Sequence, residues 1–241
     1  MKLILQKLHF YWYMFMVALI FFLMYPLFYW NTRKESRYHR VARLRKIWCD
    51  IGFVLGFYFY KAEYECDIDF RKPMIIVANH TSYLDTPLVC TIIGGNYHFM
   101  GKVELLKNPV LKIFFQTIDV PVDRSNRIAS YRALKRVEEN IRNGMSLILY
   151  PEGTMSKNPP QMSEFKAGAF KLAVDTKVPI LPITFRNNYK LMRGSGTKYG
   201  SRPGIMRAFV HKPIDTSAYE TQEDLERLSK QIYEVLNSKL S

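Results

Sequence analysis

A histidine and an aspartate five residues apart, His80 and Asp85, have the types and spacing for general base chemistry. They follow a short apolar run, Met74–Ala78, which is typical of a buried strand, and reactive side chains collect at the carboxyl ends of such strands. On one continuous helix this spacing would leave the two side chains about 140° apart. They can meet if His80 lies in the strand-to-helix loop and Asp85 in the first helical turn. Asp85 would then accept the imidazole Nδ1–H and leave Nε2 as a base.

The same segment also fits a purely structural role. Ser82-x-x-Asp85 resembles a capping box with Asp in place of Glu, and Asp85 before Thr86 and Pro87 fits a helix N-cap. This segment alone leaves both interpretations open.

Further segments with polar residues lie where predicted strands begin or end. They are Gly101-Lys102-Val103-Glu104-Leu105, Val120-Pro121-Val122-Asp123-Arg124, Tyr150-Pro151-Glu152-Gly153-Thr154 and Val178-Pro179-Ile180-Leu181-Pro182-Ile183. Together with N-H-x-x-x-x-D, in this order and at these intervals, they resemble the glycerolipid acyltransferase family. The resemblance is greatest to the bacterial members that acylate 1-acyl-glycerol 3-phosphate, and it covers about Met74 to Ile183.

The resemblance implies a role for each matching residue. His80 would be the general base that takes the proton of the acceptor hydroxyl, and Asp85 would orient and stabilise it. Lys102 and Arg124 would hold the acceptor's phosphate. The acceptor pocket would be shaped by Glu152, Gly153 and Thr154.

The reaction implied is O-acyl transfer in phospholipid biosynthesis. A fatty acyl group would pass from an acyl carrier protein or CoA thioester to the sn-2 hydroxyl of the lysophospholipid acceptor, giving phosphatidic acid. An alcohol attacking a thioester needs a base with a pKa near neutrality, which typically contributes 10²–10⁴ in rate. We therefore expect no metal, no cofactor beyond the thioester donor and no covalent nucleophile.

One residue departs from the family pattern. The P-E-G-T motif is commonly followed by Arg, but this sequence has Met155, then Ser156 and Lys157. Either the phosphate is held by Lys102, Arg124 and Lys157, or the acceptor is another lysolipid, such as the lyso-form of an amino-acid lipid. A membrane-attached hydrolase is a third possibility, disfavoured because no Ser lies in a G-x-S-x-G elbow.

The chain from Lys61 onward alternates strand-like and helix-like segments. The predicted strands are 64–70, 74–78, 97–101, 117–122, 146–150, 180–185 and 205–211, and the predicted helices are 86–93, 104–115, 127–142, 165–176 and 220–240. This order predicts an α/β or α+β domain with a mixed sheet. The family resemblance favours α/β, with a mostly parallel sheet flanked by helices. Asn187–Gly204, rich in Gly and basic residues, is predicted to be a surface loop.

The N-terminal region predicts membrane attachment. Phe10–Trp30 has no charged residue and as a helix would be about one hydrocarbon core long, whereas Ile51–Tyr60 is too short to span. Between them, Arg33–Lys46 carries seven Lys or Arg residues and one Glu, a cluster that attracts anionic lipid headgroups. Either the first helix crosses the bilayer, or both segments form a helical hairpin in one leaflet, which we favour. We expect membrane-anchoring helices over 1–60 and an α/β acyltransferase domain over 61–241.

Composition excludes several other classes of protein. At 48% hydrophobic residues the chain is too apolar to be disordered, and its three cysteines form neither a disulfide framework nor a Cys-based zinc site. A net charge of +14 suits anionic membrane lipids. Nucleic acid is not expected as a partner, because the aromatic residues do not interleave with the basic ones. The expected location is the cytoplasmic face of a bacterial inner membrane.

Overall fold

The computed structural model describes residues 1–194 and 196–240, and its centre is one seven-stranded sheet. The strands are β1 (Tyr58–Tyr64), β2 (Ile75–Ala78), β3 (Tyr97–Lys102), β4 (Val120–Val122), β5 (Ser146–Leu149), β6 (Ile180–Phe185) and β7 (Gly204–Val210). Their order is β1-β7-β6-β2-β5-β3-β4, and every neighbouring pair is parallel except β6–β7. The predicted α/β class with a mixed, mostly parallel sheet is confirmed.

Helices cover both faces of this sheet. They are α1 (Lys2–Thr32), α2 (Tyr38–Leu55), α3 (Asp85–Ile92), α4 (Lys112–Phe115), α5 (Arg127–Arg142), α6 (Gly168–Thr176), α7 (Asn188–Leu191), α8 (Gly196–Tyr199) and α9 (Gln222–Asn237). Alternation along β2 divides the core: Ile76 and Ala78 pack with α1, α2 and α3, whereas Ile75 and Val77 pack with α5, α6 and α9. The chain therefore forms three layers, helix on sheet on helix.

The N-terminal helices α1 and α2 pack against each other as an antiparallel pair, which confirms the predicted helical hairpin. The second arm begins earlier than the sequence indicates, because α2 starts at Tyr38 inside the basic segment. It ends before Gly56, and Phe57 then turns the chain with a φ of 55°. β1 begins at Tyr58, three residues before the predicted start of the α/β domain.

The strand predicted over residues 64–70 is wrong. The first strand is β1, which pairs with β7 from Tyr58↔Gly204 to Tyr64↔Val210, and the chain then leaves the sheet. Asp is unfavourable in strands, and Asp69 instead closes a turn by accepting hydrogen bonds from the backbone N–H and guanidinium of Arg71.

The single helix predicted over residues 104–115 is also wrong. It is divided into a 3₁₀ turn, Val103–Lys107, and the short helix α4. The break lies at Asn108-Pro109, because Pro lacks a backbone donor and restricts the residue before it. The Asn108 side chain accepts from the backbone N–H groups of Val110 and Leu111 and so starts the next turn.

Residues 187–194 and 196–204 are not simply a surface loop, and Ser195 of the predicted loop lies outside the described residues. They contain α7, α8 and an antiparallel bridge between Met192 and Ser201. Asn188, Leu191 and Met192 are buried. This segment closes over the carboxyl end of β2. By contrast, the predicted helix 127–142 and the predicted strand 180–185 match α5 and β6 residue for residue.

Candidate active site

The sequence motifs meet because parallel strands place their carboxyl ends at one edge of the sheet. His80 follows β2, Lys102 ends β3, Arg124 follows β4 and Tyr150 follows β5. Since β2, β5, β3 and β4 are consecutive neighbours in the sheet, these four residues converge on one side of it.

The first residue of the motif, Asn79, fixes this edge. Its buried side chain donates to the Phe185 carbonyl (3.0 Å) and accepts from the Phe185 N–H (2.7 Å). This pair of hydrogen bonds ties the end of β2 to the end of β6, so that the loop carrying His80 leaves a rigid platform.

His80 and Asp85 are in contact, as predicted from the loop-and-first-turn arrangement. The His80 Nδ1 lies 3.0 Å from Asp85 Oδ2, and Asp85 is the first residue of α3. The Asp85 side chain is completely buried, whereas 14% of the His80 side chain is exposed. A carboxylate at Nδ1 selects the tautomer protonated there, which leaves Nε2 with the lone pair that a base requires.

Three other donors hold the Asp85 carboxylate. The Thr81 and Ser82 N–H groups donate to Oδ2 (2.6 and 2.8 Å), and the Asn188 side chain donates to Oδ1 (2.8 Å). Only half of the capping box is formed, because Ser82 Oγ accepts from the Leu84 N–H (3.0 Å) and the Asp85 N–H donates to the Ser82 carbonyl instead. The N-cap of α3 is Leu84 rather than Asp85, but the Asp85 carboxylate still fixes the loop before the helix while it contacts His80.

Tyr150 packs against one face of the His80 imidazole. The His80 and Tyr150 rings are stacked, with centroids 4.0 Å apart and planes 14° from parallel. The Tyr150 hydroxyl is 3.0 Å from Thr86 Oγ1, which fixes the phenol. Burial, reinforced by the Asp85 carboxylate, raises the pKa of Tyr150 well above its usual value, so the phenol stays neutral. Ring stacking and the Asp85 bond together define one orientation for His80.

Glu152 faces the protein interior. Its Oε1 accepts from the His80 N–H (2.8 Å) and its Oε2 from the Ser163 N–H (2.8 Å). Burial raises the pKa of this carboxyl above its usual value, although the two backbone hydrogen bonds oppose the shift. Glu152 therefore anchors the His80 backbone. Of the three residues expected to shape the acceptor pocket, Gly153 and Thr154 line the adjoining cavity, and Glu152 is not among its described lining residues.

Basic side chains surround Gly153. Arg124 Nη1 donates to the Gly153 carbonyl (2.8 Å), and Gly153 adopts a φ of 74°, which favours glycine. A Cβ at Gly153 would lie 3.0 Å from Arg124 Nη1 and 3.1 Å from Lys166 Nζ. Lys102 lines the same cavity, whereas Lys157 is not among the lining residues that the structure describes. The site thus gains Lys166, a cation that the sequence did not indicate.

One cavity of about 1200 Å³ connects His80 and Tyr150 with the basic side chains around Gly153. Its exposed lining residues include Lys102, Arg124 and Lys166, which mark the open end beside His80. The cavity extends inward between α1, α2 and α3, where its walls are mainly apolar. The inner lining includes Phe10, Tyr13, Met14, Val17, Trp48, Cys49, Cys90, Phe99 and Phe114. It exceeds the ~300–1,000 Å³ of a typical small-ligand pocket, so there is room for more than one chain-like substrate.

Sequence reasoning missed three contributors: Asn188, Tyr150 and Lys166. Tyr150 lies next to P-E-G-T, and its position at the end of a buried strand was an available signal. Asn188 is 103 residues from Asp85 in a segment predicted as a loop, and Lys166 belongs to no motif. In the part of the chain that the structure describes, no group of three or more His, Cys, Asp or Glu side chains could hold a metal ion.

The fold and this site agree with a comparison against protein families. Residues 59–186, just over half of the chain, match the family model described as Acyltransferase. The chain belongs to the acyltransferase family.

Individual proteins of this family are similar to the chain over most of its length. A chloroplastic 1-acyl-sn-glycerol-3-phosphate acyltransferase of Brassica napus is 30% identical over 197 residues, covering 80% of this chain and 54% of the relative. A probable 1-acyl-sn-glycerol-3-phosphate acyltransferase of Mycoplasma genitalium is 29% identical over 221 residues, covering 86% of this chain and 79% of the relative. This chain spans about half the length of the plant relatives that it matches.

A solved structure shares the whole architecture. The 1-acyl-sn-glycerophosphate (LPA) acyltransferase PlsC from Thermotoga maritima superposes with a TM-score of 0.80, covering 99% of this chain and 95% of that chain. At 24% identity this likeness establishes the fold, including the N-terminal helix pair.

Proposed function

We propose that this chain transfers a fatty acyl group from an acyl thioester, of CoA or of an acyl carrier protein, to the sn-2 hydroxyl of 1-acyl-glycerol 3-phosphate. The product is phosphatidic acid, an intermediate of phospholipid biosynthesis. One observation carries the proposal: a single cavity joins His80, which is paired with Asp85, to exposed cations at its open end and to buried apolar walls. The names of the relatives support this choice of acceptor.

In the proposed reaction, His80 Nε2 removes the proton of the acceptor hydroxyl as that oxygen attacks the thioester carbonyl. A C–O bond forms, and the tetrahedral intermediate collapses by breaking the C–S bond. The departing thiolate takes the proton back from the imidazolium. Asp85, held by three further donors, stabilises the imidazolium between these two proton transfers.

The acceptor's phosphate would bind at the open end of the cavity. Lys102 and Arg124 both line this end, and among the described residues neither forms an ion pair with a carboxylate. A phosphate oxygen is a strong acceptor for a guanidinium or an ammonium group. Gly153 and Thr154 would form the wall beside the phosphate, and the acyl chains would occupy the apolar interior.

The test uses the purified full-length chain, vesicles of anionic phospholipid and an acyl thioester labelled in the acyl group. Lysophosphatidic acid, an amino-acid lysolipid and a zwitterionic lysolipid are offered separately, and products are identified by mass. We expect phosphatidic acid from lysophosphatidic acid at the highest rate. Release of free fatty acid without transfer would instead indicate the hydrolase, and transfer only to another lysolipid would overturn the acceptor.

Met155 is the observation that favours another acceptor. Its Sδ occupies the space beside Gly194, where a Cβ would lie 2.5 Å from the sulfur. A thioether there offers an apolar contact at the position where the family commonly has Arg. If the acceptor lacks a phosphate, Met155→Arg would bury an unpaired charge and raise KM; with lysophosphatidic acid, KM would stay level or fall.

We also propose that the α1–α2 hairpin lies in one leaflet of the bacterial inner membrane, on its cytoplasmic side. By length and composition α1 could cross a membrane. However, it contacts the rest of the chain along its length: His9 Nδ1 meets Ser201 Oγ (2.6 Å), the Val17 carbonyl accepts from Trp48 Nε1 (2.9 Å), and Phe28 packs on Phe114. A helix held in this way lies along the bilayer surface together with its domain.

The outer face of α1 is suited to lipid. Leu8, Trp12, Phe15, Phe22 and Leu23 are all exposed. Burying such apolar side chains in the headgroup and acyl boundary favours an interfacial helix.

The adjacent basic cluster, residues 33–46, offers fewer charges to lipid headgroups than the sequence suggests. Arg33, Lys34, Arg40 and Arg43 are exposed, but Arg45 is buried in an ion pair with a carboxylate. The cluster available to anionic headgroups is correspondingly smaller.

Leu23→Asp tests this membrane proposal. It should reduce sedimentation of the full-length chain with anionic vesicles, because it places a charge in the proposed lipid contact. Ile128→Asp is the matched control, since Ile128 is similarly exposed (66% against 73% for Leu23) but lies on α5, on the opposite face of the sheet. Equal vesicle binding by the two variants would contradict this orientation.

A further inference from the structure

The position that commonly carries Arg in the family motif is Met155 here, so the acceptor's phosphate lacks one expected cation. Met155 packs against Gly194. The nearby Lys157 is exposed and is not among the described residues that line the cavity. Neither residue supplies the missing charge at the open end.

Lys166 does lie at this end of the cavity. Its Nζ and Arg124 Nη1 are both within 3.1 Å of one point, the position of a Cβ on Gly153. The Lys166 backbone N–H donates to the Pro151 carbonyl (2.9 Å), which holds residue 166 against the turn that follows β5. The two cationic groups therefore face the same small volume beside Gly153.

Like charges this close repel unless an anion lies between them. Within residues 1–194 and 196–240, the ion pairs found join other basic residues and include neither Lys166 nor Arg124. The Gly153 carbonyl occupies only one donor of Arg124. Both groups keep donors for a ligand with several acceptor oxygens, such as a phosphate monoester.

We infer that Lys166 is a phosphate-binding residue that takes the place of the family's Arg, forming with Lys102 and Arg124 a three-cation site for the acceptor's phosphomonoester. This inference rests on the proposed function for the identity of the acceptor. The anion site itself rests on the geometry around Gly153. Replacing a guanidinium at 155 by an ammonium at 166 keeps the charge at the open end and leaves position 155 free for an apolar contact.

The test compares Lys166→Gln with Lys157→Gln in the full-length chain. Lys157 is a matched control, because it is an exposed lysine in the same connection between β5 and α6. With lysophosphatidic acid as acceptor, Lys166→Gln should raise KM about ten- to hundredfold, the effect of losing one hydrogen bond to a charged group, and Lys157→Gln should leave KM unchanged. Lys166→Arg should restore most of the binding, and KM for the thioester donor should not move.

A second measurement separates the site from the proposed acceptor. sn-Glycerol 3-phosphate is titrated into the wild-type chain and into both Gln variants, and its dissociation constant is measured by calorimetry. Weaker binding to Lys166→Gln alone supports the inference, even if the wild-type chain fails to acylate lysophosphatidic acid, in which case only the acceptor is wrong. Equal binding to Lys166→Gln and Lys157→Gln, or equal KM values for the two, would overturn it.

Discussion

Two pairs of a basic side chain and a buried carboxylate lie along the same cavity, one near its open end and one in its interior. In the first, His80 Nδ1 lies 3.0 Å from Asp85 Oδ2, and in the second, Arg45 Nη2 lies 2.6 Å from Asp119 Oδ2. Both carboxylates also accept backbone N–H groups, those of Thr81 and Ser82 at Asp85 and that of Phe99 at Asp119. The carboxylate sides of the two pairs are therefore built alike.

The basic partners differ. The Arg45 guanidinium is charged at all relevant pH values and is surrounded by aromatic rings, with its Cζ 4.4 Å from the Phe114 centroid and 5.4 Å from that of Phe99. It joins α2 to the sheet edge and has no proton to exchange. An imidazole can take up and release a proton, and the second ring nitrogen of His80 is available to a substrate. The identity of the basic residue thus separates the two pairs. With Arg45 the pair stabilises the fold, and with His80 it can take part in proton transfer.

The largest expected effect comes from removing the imidazole. His80→Ala should lower acyl transfer by about 10²–10⁴, because that is the usual contribution of a general base. The melting temperature should change little, because His80 is partly exposed. His39→Ala, at an exposed histidine on α2, is the control. Turnover near the wild-type rate in folded His80→Ala would contradict the mechanism.

The interior pair should show the opposite behaviour. Asp119→Ala leaves the Arg45 charge buried without its partner and should lower the free energy of unfolding by about 3–5 kcal/mol. The rate per folded molecule should remain within a few fold of wild type. The double variant Arg45→Met, Asp119→Leu removes both charges and should recover most of the stability. The free energy of unfolding in denaturant and the rate of acyl transfer are measured on the same samples. A hundredfold loss of rate with unchanged stability would assign this pair to the chemistry.

A smaller effect is expected at Asn188, which contacts Asp85 but lies outside the cavity lining. Asn188→Ala removes one donor to the carboxylate and should lower kcat about tenfold, the equivalent of ~1.4 kcal/mol. The remaining carboxylate charge would interact more strongly with the imidazolium, so the acidic limb of the pH–rate profile should move to higher pH. A merely structural Asn188 would lower stability and leave that limb in place.

Local patterns along the chain predict much of this molecule and non-local contacts explain the rest. The alternation of strands and helices, α5 and β6 were predictable, since periodicity and flanking turns report on neighbours in sequence. The contact of His80 with Asp85 was predictable because both residues lie within one loop and one turn. The Asn188 contact was not, because it depends on how a distant segment folds back over β2.

In the N-terminal region, too, a contact between distant residues could not be predicted from the sequence. A charge-free run followed by basic residues predicts a helix beside a lipid surface, and the α1–α2 pair agrees with this. Yet Arg45 looks like one more member of the basic cluster in the sequence, and only the fold reveals that it pairs with Asp119, 74 residues away. Composition predicts that a charge is present, but not whether the charge meets water, lipid or another side chain.

The last expected effect is on the pH dependence of stability and concerns a third buried base, His98, for which the described residues supply no carboxylate partner comparable to Asp85. Burial, together with the charges of Arg136 and Arg45, lowers its pKa to about 3, against about 6.5 in the unfolded chain. As pH falls below 6.5, the unfolded state takes up a proton that the folded state refuses, so the free energy of unfolding decreases. The contribution of His98 is ~1.4 kcal/mol per pH unit between about pH 6 and pH 4, and it is fully present above pH 6.5. His98→Leu should flatten this dependence by that amount in urea unfolding measured at pH 7, 6 and 5. An identical slope in the variant would mean that His98 takes up a proton over the same pH range in the folded and the unfolded chain, which would contradict this prediction.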